Sequence, residues 1–480
     1  MKKLYSLSIF VILSTLVYGQ APTLVLDINP GTSNGSPGDL TVFNNLIYFD
    51  ADDSSGTNTG GTDVGRELWV TDGTAAGTSL VADIRTGSAG SSPFNYFIFN
   101  NALYFTANDG ASELWTSDGT AAGTTKVDLF PLIAGDVPNN AVVLGNSVFL
   151  TTNQNGVNNQ LTEWNGTTAI IAPDAVNPTA TTLASDLTSW NNLIYAYMEY
   201  SPDEATTGRE LYTYNPATDT YTLVLDISAG SGNSGISNFT TIGTKLYFEA
   251  LGNLWETDGT AAGTIEVSQA TIQGIGSVRE YAAIGTDLYF EGLIAPSSID
   301  QLFKYDTVAG TIIQISSNSI EDHNPSDLIE LNGVIYYAGD SDVDSAKYLH
   351  STNGITSTQL NATIKDVDDM VVYNNKLYFE GEEDGVTGNE LFVFDPATAS
   401  IEQVTSLNSI SIYPNPTRGA LNLSGDTSNV SSYEVYDLSG RKVSGGILQN
   451  DQINDDLNNG IYILKLNSID QTIARKFIVE

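Results

Sequence analysis

Short apolar runs recur about every ten residues along this chain, separated by turn-forming residues, and the pattern predicts strands throughout. The first full set reads Asp39–Phe43, Leu46–Asp50, Glu67–Thr71 and Ser79–Ile84, here strands a to d. Strand b is apolar on both faces, as Leu46–Ile47–Tyr48–Phe49 and again as Leu377–Tyr378–Phe379. A strand covered on both sides needs this, whereas a one-sided sheet would alternate. Aligning the strand-b aromatics gives eight units, anchored at Tyr48, Tyr104, Phe149, Tyr195, Tyr247, Tyr289, Tyr336 and Tyr378, spaced 42 to 56 residues apart. That spacing suits four-stranded propeller blades. No convincing amphipathic helix separates the strands, which argues against a βαβ fold. The expectation is an all-β chain with an eight-bladed β-propeller, seven blades being the runner-up.

Repeated letters sharpen the register. TDGTAAGT stands at Thr71–Thr78 and Thr257–Thr264, and SDGTAAGT at Ser117–Thr124; each follows a Leu–Trp pair. Asp–Gly marks the c–d turn, and Asn44–Asn45 suits an a–b hairpin turn with positive φ. Elsewhere the c–d corner is Asn215–Pro216 or Asp395–Pro396, which is type I turn chemistry. Trp69, Trp115 and Trp255 sit mid-strand at one repeated position, so packing between sheets is expected of them rather than sugar stacking. Thr23–Ile28, TLVLDI, is identical to Thr222–Ile227, a strand d, yet has no a–b–c partners before it. Ring closure explains it, but Ile401–Leu407 offers a competing strand d, and the sequence leaves that choice open.

At the front, Lys2 and Lys3 precede an apolar stretch from Leu7 to Val17 and then small residues. This is the pattern of a secretory signal peptide over residues 1–19, with cleavage expected between Gly19 and Gln20. The run is too short to span a bilayer, and no membrane span is expected elsewhere. The chain has no cysteine, which excludes disulfides, thiolate catalysis, cysteine-ligated zinc and a lipoprotein anchor.

Composition shifts after Leu407. Residues 408–480 read as six or seven short strands, hence a small Ig-like β-sandwich. They carry SIYPNPTRG at Ser411–Gly419, YEVYDLSGRKV at Tyr433–Val443 and GIYILKL at Gly460–Leu466. Tyr413, Pro414, Asn415, Pro416, Gly419, Gly460 and Tyr462 carry the pattern, which resembles the type A C-terminal sorting domain of the type IX secretion system of Bacteroidetes. The resemblance implies outer-membrane passage after Sec export, partnership with the type IX machinery, removal by a sortase-like peptidase, and a secreted or cell-surface destination. The repeats over 20–407 resemble the ELWxxDGT repeat family. That resemblance implies an extracellular propeller-like array and assigns no catalytic residues.

Net charge is −39, and the repeat region alone holds ten basic against forty-nine acidic residues. A nucleic-acid partner is excluded on charge, and an anionic membrane surface is equally disfavoured. In a meandering blade the a–b and c–d turns share one face of the disc, and the b–c loops and d–a crossovers share the other. The first set is short and stereotyped; the second is long and variable. Variable loops on a rigid scaffold are where binding resides. The candidate binding face therefore carries Asp52, Asp53, Asp63, Asp203, Glu204, Glu382, Glu383 and Asp384. Asp340, Asp342 and Asp344 have the first three spacings of a calcium loop, but Ser345 and Ser351 stand where glycine and glutamate belong. Calcium is thus expected only as a looser oxygen-ligand site, and no other cofactor is expected. The only histidines are His323 and His350, read as a solvated crossover residue and a packed strand residue in separate units. The fingerprints of a nucleophile elbow, P-loop or dinucleotide fold are missing. The expectation is a binding or adhesion module outside the cell; a structural surface-layer or matrix component, and a polysaccharide-acting propeller hydrolase or lyase, are the alternatives.

Overall fold

A computed structural model describes residues 21–480 apart from 131–136, 155, 269–272, 295–296, 397–410, 425–429, 431, 438–440, 449–450, 454–456 and 468–471. The chain divides into two compact units, Met1–Pro396 and Ala397–Glu480.

In the first unit the described strands fall into eight antiparallel four-stranded sets. Set 1 is Gly38–Phe43, Leu46–Asp52, Arg66–Thr71 and Ser79–Ala82. Set 7 is Ser326–Leu331, Val334–Asp340, Lys347–Thr352 and Ser357–Gln359. Set 8 takes Ile364–Tyr373, Lys376–Glu383 and Asn389–Phe394 from the end of the unit and Thr23–Leu26 from its beginning. Thr23 pairs with Val393 and Leu24 with Phe392, so the early strand fills the strand-d place. The competing segment Ile401–Leu407 lies outside the described residues. Sets 7 and 8 touch through one backbone pair, Tyr348 with Lys365. Each set's strand a neighbours the next set's strand a, and Ile364–Tyr373 neighbours Gly38–Phe43, so the series returns to its start.

The local chemistry explains why each set forms. Asn44 and Asn45 take φ of 48° and 59°, the left-handed values that an a–b turn of this hand requires and that asparagine tolerates. In the c–d turn, Asp72 Oδ1 accepts hydrogen bonds from the Thr74 backbone N–H at 2.9 Å and its hydroxyl at 2.7 Å. Asp118 with Thr120, and Asp258 with Thr260, repeat both bonds. These exposed aspartates are thus consumed by their own turns. Strand b is buried on both faces, as its sequence demands: Ile47, Tyr48, Phe49 and Ala51 are all buried.

Two devices join the sets. The strand-b tyrosine hydroxyl of one set abuts the Asp–Gly glycine of the next: Tyr48 meets Gly119, Tyr195 meets Gly259, and Tyr378 of set 8 meets Gly73 of set 1. A side chain at Gly73 (φ +90°) would collide with the Tyr378 hydroxyl. The second device is the glutamate of the repeated Glu–Leu. Glu67 accepts from the backbone N–H groups of Ile84 and Arg85, each at 3.1 Å, and Glu210 from those of Ile227 and Ser228. Glu390 accepts from Ile28 at 2.7 Å, Asn29 at 3.2 Å and Gly35 at 2.9 Å. Each glutamate therefore ties strand c to the d–a crossover, and Glu390 makes that tie across the junction of the two chain ends. Trp69 and Trp115 are buried and Trp255 is partly buried, packing within sheet-to-sheet clusters.

The second unit holds seven described strands in two sheets. Leu421, Leu423 and Ile453 of one sheet share a core with Tyr433, Val435, Leu464, Leu466 and Phe477 of the other.

Candidate functional site

The b–c loops of sets 7 and 8 border an open cleft of about 510 Å³, lined by Asp344, Ala346, Tyr348, Ala362, Thr363, Lys365, Glu383 and Asp384. Three of the acidic residues expected at functional loops therefore meet here. Asp344 Oδ2 accepts a hydrogen bond from the Tyr348 hydroxyl at 2.8 Å, and burial, followed by this bond, pushes the phenol up to about 12. Lys365 lies 3.2 Å from Asp384 and 3.7 Å from Glu382. Those carboxylates raise its pKa, with the Asp384 hydrogen bond the largest cause. Glu382 is itself raised, by burial and by a hydrogen bond shared with Asp366. The single lysine is thus already paired, and the cleft keeps an excess of negative charge.

Of the remaining expected residues, Asp53, Asp63, Asp340 and Asp342 are held by hydrogen bonds of their own loops and crossovers. Asp53 is buried, with Oδ1 accepting from Ser55 Oγ at 2.6 Å and Oδ2 from the Asn58 N–H at 2.6 Å. Asp63 Oδ1 accepts from the Gly65 N–H at 2.9 Å. Asp52 is half-buried beside Asp63, and burial raises its pKa. Asp203 precedes the short helix Glu204–Thr207, whose first residue is exposed. Asp340, Asp342 and Asp344 do not converge. Asp340 accepts from Asn324 Nδ2 at 2.7 Å. Asp342 Oδ1 accepts from the backbone N–H groups of Ser319, Ile320 and Glu321, and these bonds hold its pKa down to about 2. Among the described residues no three His, Asp or Glu side chains gather in a way that would hold a metal ion.

The histidines differ from expectation. His323 is 1 % exposed rather than solvated, and it packs against His350 with ring centroids 5.0 Å apart. The d–a crossover carries His323 back over strands b and c of set 7, so the two lie in one set and not in separate ones. His323 Nδ1 lies 3.0 Å from the Asp340 carbonyl, which places the proton there. Nε2 then accepts from the Tyr337 hydroxyl at 2.9 Å, and that hydroxyl in turn bonds Ser357 Oγ. Burial holds His323 down to about 4 and His350 to about 3.

One acidic cluster escaped the sequence reading. Every strand a contains a bulge whose residue takes a left-handed φ: Asp39, Asn95, Asn140, Asp186, Asn238, Glu280, Asp327 and Asp369, all between 51° and 59°. Asn and Asp tolerate this region because a short polar side chain bonds locally. Around Gly38 the bulges bring carboxylates together. A Cβ there would lie 3.0 Å from Arg66 Nη2, 3.1 Å from Asp50 Oδ1 and 3.2 Å from Asp369 Oδ2, so glycine leaves the room in which they meet. Arg66 pairs with Asp50. Burial pushes Asp50 and Asp369 up to about 6 and Glu380 to about 7. The repeated Asx near the start of strand a was the available signal.

In the second unit, the Pro–Asn–Pro segment is bound to the last strand, Thr472–Val479. Asn415 Oδ1 accepts from the Ile478 N–H at 2.9 Å, and its Nδ2 donates to the Lys476 carbonyl at 3.1 Å. The Thr417 N–H donates to the Ile478 carbonyl at 2.8 Å. Tyr413 and Pro414 are exposed on the approach, and the Gly419 N–H donates to Thr417 Oγ1. Gly460 opens strand Gly460–Asn467, where Tyr462 is buried and packs on Phe477. Gly19 and Gln20 lie outside the described residues. Residues 411–480 match the family described as "Secretion system C-terminal sorting domain". This sorting domain belongs to the type IX route, which delivers proteins to the cell surface or beyond, and it implies interaction with the type IX machinery. Among the described residues no helix is long and apolar enough to cross a membrane.

No curated protein matches the chain. Among solved structures, puromycin hydrolase matches at 10% identity and TM-score 0.44, covering 76% of this chain and 61% of its own. Oligogalacturonate lyase of Vibrio parahaemolyticus matches at 10% and 0.41, covering 75% and 98%. Oligopeptidase B of Leishmania major matches at 9% and 0.45, covering 92% and 54%. The chain thus spans about three fifths of the hydrolase and about half of the oligopeptidase.

Proposed function

We propose that residues 20–407 form a closed eight-bladed β-propeller of ELWxxDGT-type repeats, displayed outside the cell as a binding module. Residues 408–480 form an Ig-like sorting sandwich. The b–c/d–a face is its binding face. The observation that carries this reading is the contrast between the two sets of loops. Tight-turn aspartates such as Asp72, Asp118 and Asp258 spend both their geometry and their charge on their own turns. On the other side, the loops of sets 7 and 8 leave an acidic cleft open to solvent. Export supports the reading, since a module at the cell surface meets glycan and protein ligands directly.

The test is a comparison of faces. The double reversal Glu383→Lys with Asp384→Lys should weaken binding to a glycan or host-protein array by about tenfold, near 1.4 kcal/mol. Val308→Lys, on the exposed c–d turn between strands Gln301–Asp306 and Thr311–Gln314, should leave it unchanged. Equal losses from both would refute the assignment of faces.

A further inference from the structure

In the sorting domain's four-stranded sheet both faces are apolar, but the sandwich core takes only one. Its strands lie in the order Lys442–Gly446, Ser432–Asp437, Gly460–Asn467 and Thr472–Val479. Val435, Leu464, Leu466 and Phe477 point into the core shared with the second sheet. A strand covered on one side would alternate such residues with polar ones, yet Ile461–Tyr462–Ile463–Leu464 is apolar throughout. Strand register puts the intervening residues together on the outer face. Ile461 pairs with Ile478, and Ile463 lies between Tyr436 and Lys476. Ile461 is 37 % exposed, Ile463, Ile478 and Tyr436 are half-buried, and Lys476 is exposed. Lys465 stands opposite Glu434, whose carboxylate also bonds Lys442 at 2.6 Å. The face thus has an aliphatic centre and a rim in which lysines outnumber carboxylates. The sheet's edges are less open to a partner. Asn415 and Thr417 hydrogen-bond the backbone of Lys476 and Ile478, so the Pro–Asn–Pro segment occupies the edge of Thr472–Val479. The opposite edge strand is short, bulged and ends in Gly445–Gly446.

We propose that this outer face is the surface by which the sorting domain docks on a component of the type IX machinery, and that the component offers an apolar patch bordered by carboxylates. The face belongs to the part of the chain that matches a sorting domain, residues 411–480, so the machinery is the partner this part meets. An apolar centre inside a polar rim is the ordinary build of a protein interface. Lys465 and Lys476 at that rim call for acidic groups opposite them. A second copy docked through the same face would set these lysines against their own kind, which argues against self-association. A one-sided sheet also needs no aliphatic residues on its solvent face, so Ile461, Ile463 and Ile478 together point to a cover.

The experiment expresses the full chain in a host with a working type IX system and measures delivery to the surface and medium against retention in the periplasm. Ile461→Ser with Ile478→Ser, and separately Lys465→Glu with Lys476→Glu, should each reduce delivery by about tenfold and leave the chain in the periplasm. Ser424→Glu, on the outer face of the other sheet, should be delivered as wild type. The melting temperature of each purified variant is checked, and the lysine variant decides the question if the serine variant unfolds. A photo-reactive phenylalanine analogue at position 461 should form an adduct with a type IX component, and Lys465→Glu with Lys476→Glu should abolish that adduct. Unchanged delivery in both double variants overturns the proposal. So does an adduct formed instead with the chain's own first unit, with a second copy or with lipid. An equal loss of delivery in Ser424→Glu overturns the assignment to this face. The outcome is independent of the propeller's binding face, which the comparison of faces tests by itself.

Discussion

Glu390 offers the most direct handle on ring closure. Its carboxylate accepts three backbone hydrogen bonds from Ile28, Asn29 and Gly35, across a sequence separation of up to 362 residues. Truncation to alanine strands the Ile28 and Asn29 N–H groups at a buried position, while the Gly35 N–H keeps its bond to the Asn389 carbonyl. Each loss costs about 1–3 kcal/mol, so the two together would cost roughly 2–6 kcal/mol if nothing moved. The entering strand Thr23–Leu26 is only four residues long. Its release is the cheaper response, and undocking caps the loss. Glu390→Ala should therefore lower stability by about 3 kcal/mol and expose the amides of Thr23–Leu26 and Leu391–Val393 to hydrogen exchange. Glu67→Ala breaks the equivalent tie inside set 1, so it should destabilise to a similar degree without freeing Thr23–Leu26. Burial pushes Glu390 up from 4.5 to about 7. That rise corresponds to roughly 3 kcal/mol in favour of the protonated acid. Because the folded pKa is raised, the contribution is complete below pH 4.5 and is lost as pH climbs through 7. Glu390→Gln, a fixed analogue of the protonated form, should flatten the dependence in that window. Unchanged exchange at Thr23–Leu26 in Glu390→Ala, with stability within about 0.5 kcal/mol of wild type, would refute the latch.

Gly73→Ala should cost about 2–4 kcal/mol in urea unfolding, from positive φ and collision with Tyr378, and Tyr378→Phe in the same chain should return part of it. The raised carboxyls act together with Glu390: Asp50 and Asp369 stand at about 6 and Glu67 and Glu380 at about 7, so melting temperature should fall as pH rises from 5 to 8. The histidines oppose this from the acid side. Their folded pKa values are depressed to about 4 and about 3, so their contribution is present above pH 6.5 and is lost as pH falls through those values. Nuclear magnetic resonance should show both imidazoles neutral at pH 5, and a midpoint near 6.5 would contradict their burial.

The repeat was legible because two of its signals are local. Asn44–Asn45 and Asp72–Gly73 dictate their turns from adjacent residues, and Tyr48 marks a strand buried on both faces. The reason for the repeated Glu–Leu was not legible, since Glu67 acts on backbone seventeen and eighteen residues away. Nor was the histidine pair, because only the path of the d–a crossover tells that His323 returns beneath its own set. The acidic loops were legible as loops and not as sites. Sequence spacing cannot distinguish Asp344, which faces the cleft, from Asp342, which binds the backbone of the preceding crossover. The strand-a bulges belong to a third kind: an Asx residue there has a reason, but only pairing reveals that the strand has an extra residue at that point.

Pairing of Thr23 with Val393 places the beginning and end of the repeat unit side by side. A short linker could therefore join them, and the cyclised sequence could be reopened at any other d–a crossover to give a permuted chain with the same contacts. Such permutants would separate the contribution of covalent order from that of packing. Cutting the natural chain between two sets could not do this, because a piece from the start keeps Thr23–Leu26 without its sheet and a piece from the end keeps set 8 without its outer strand.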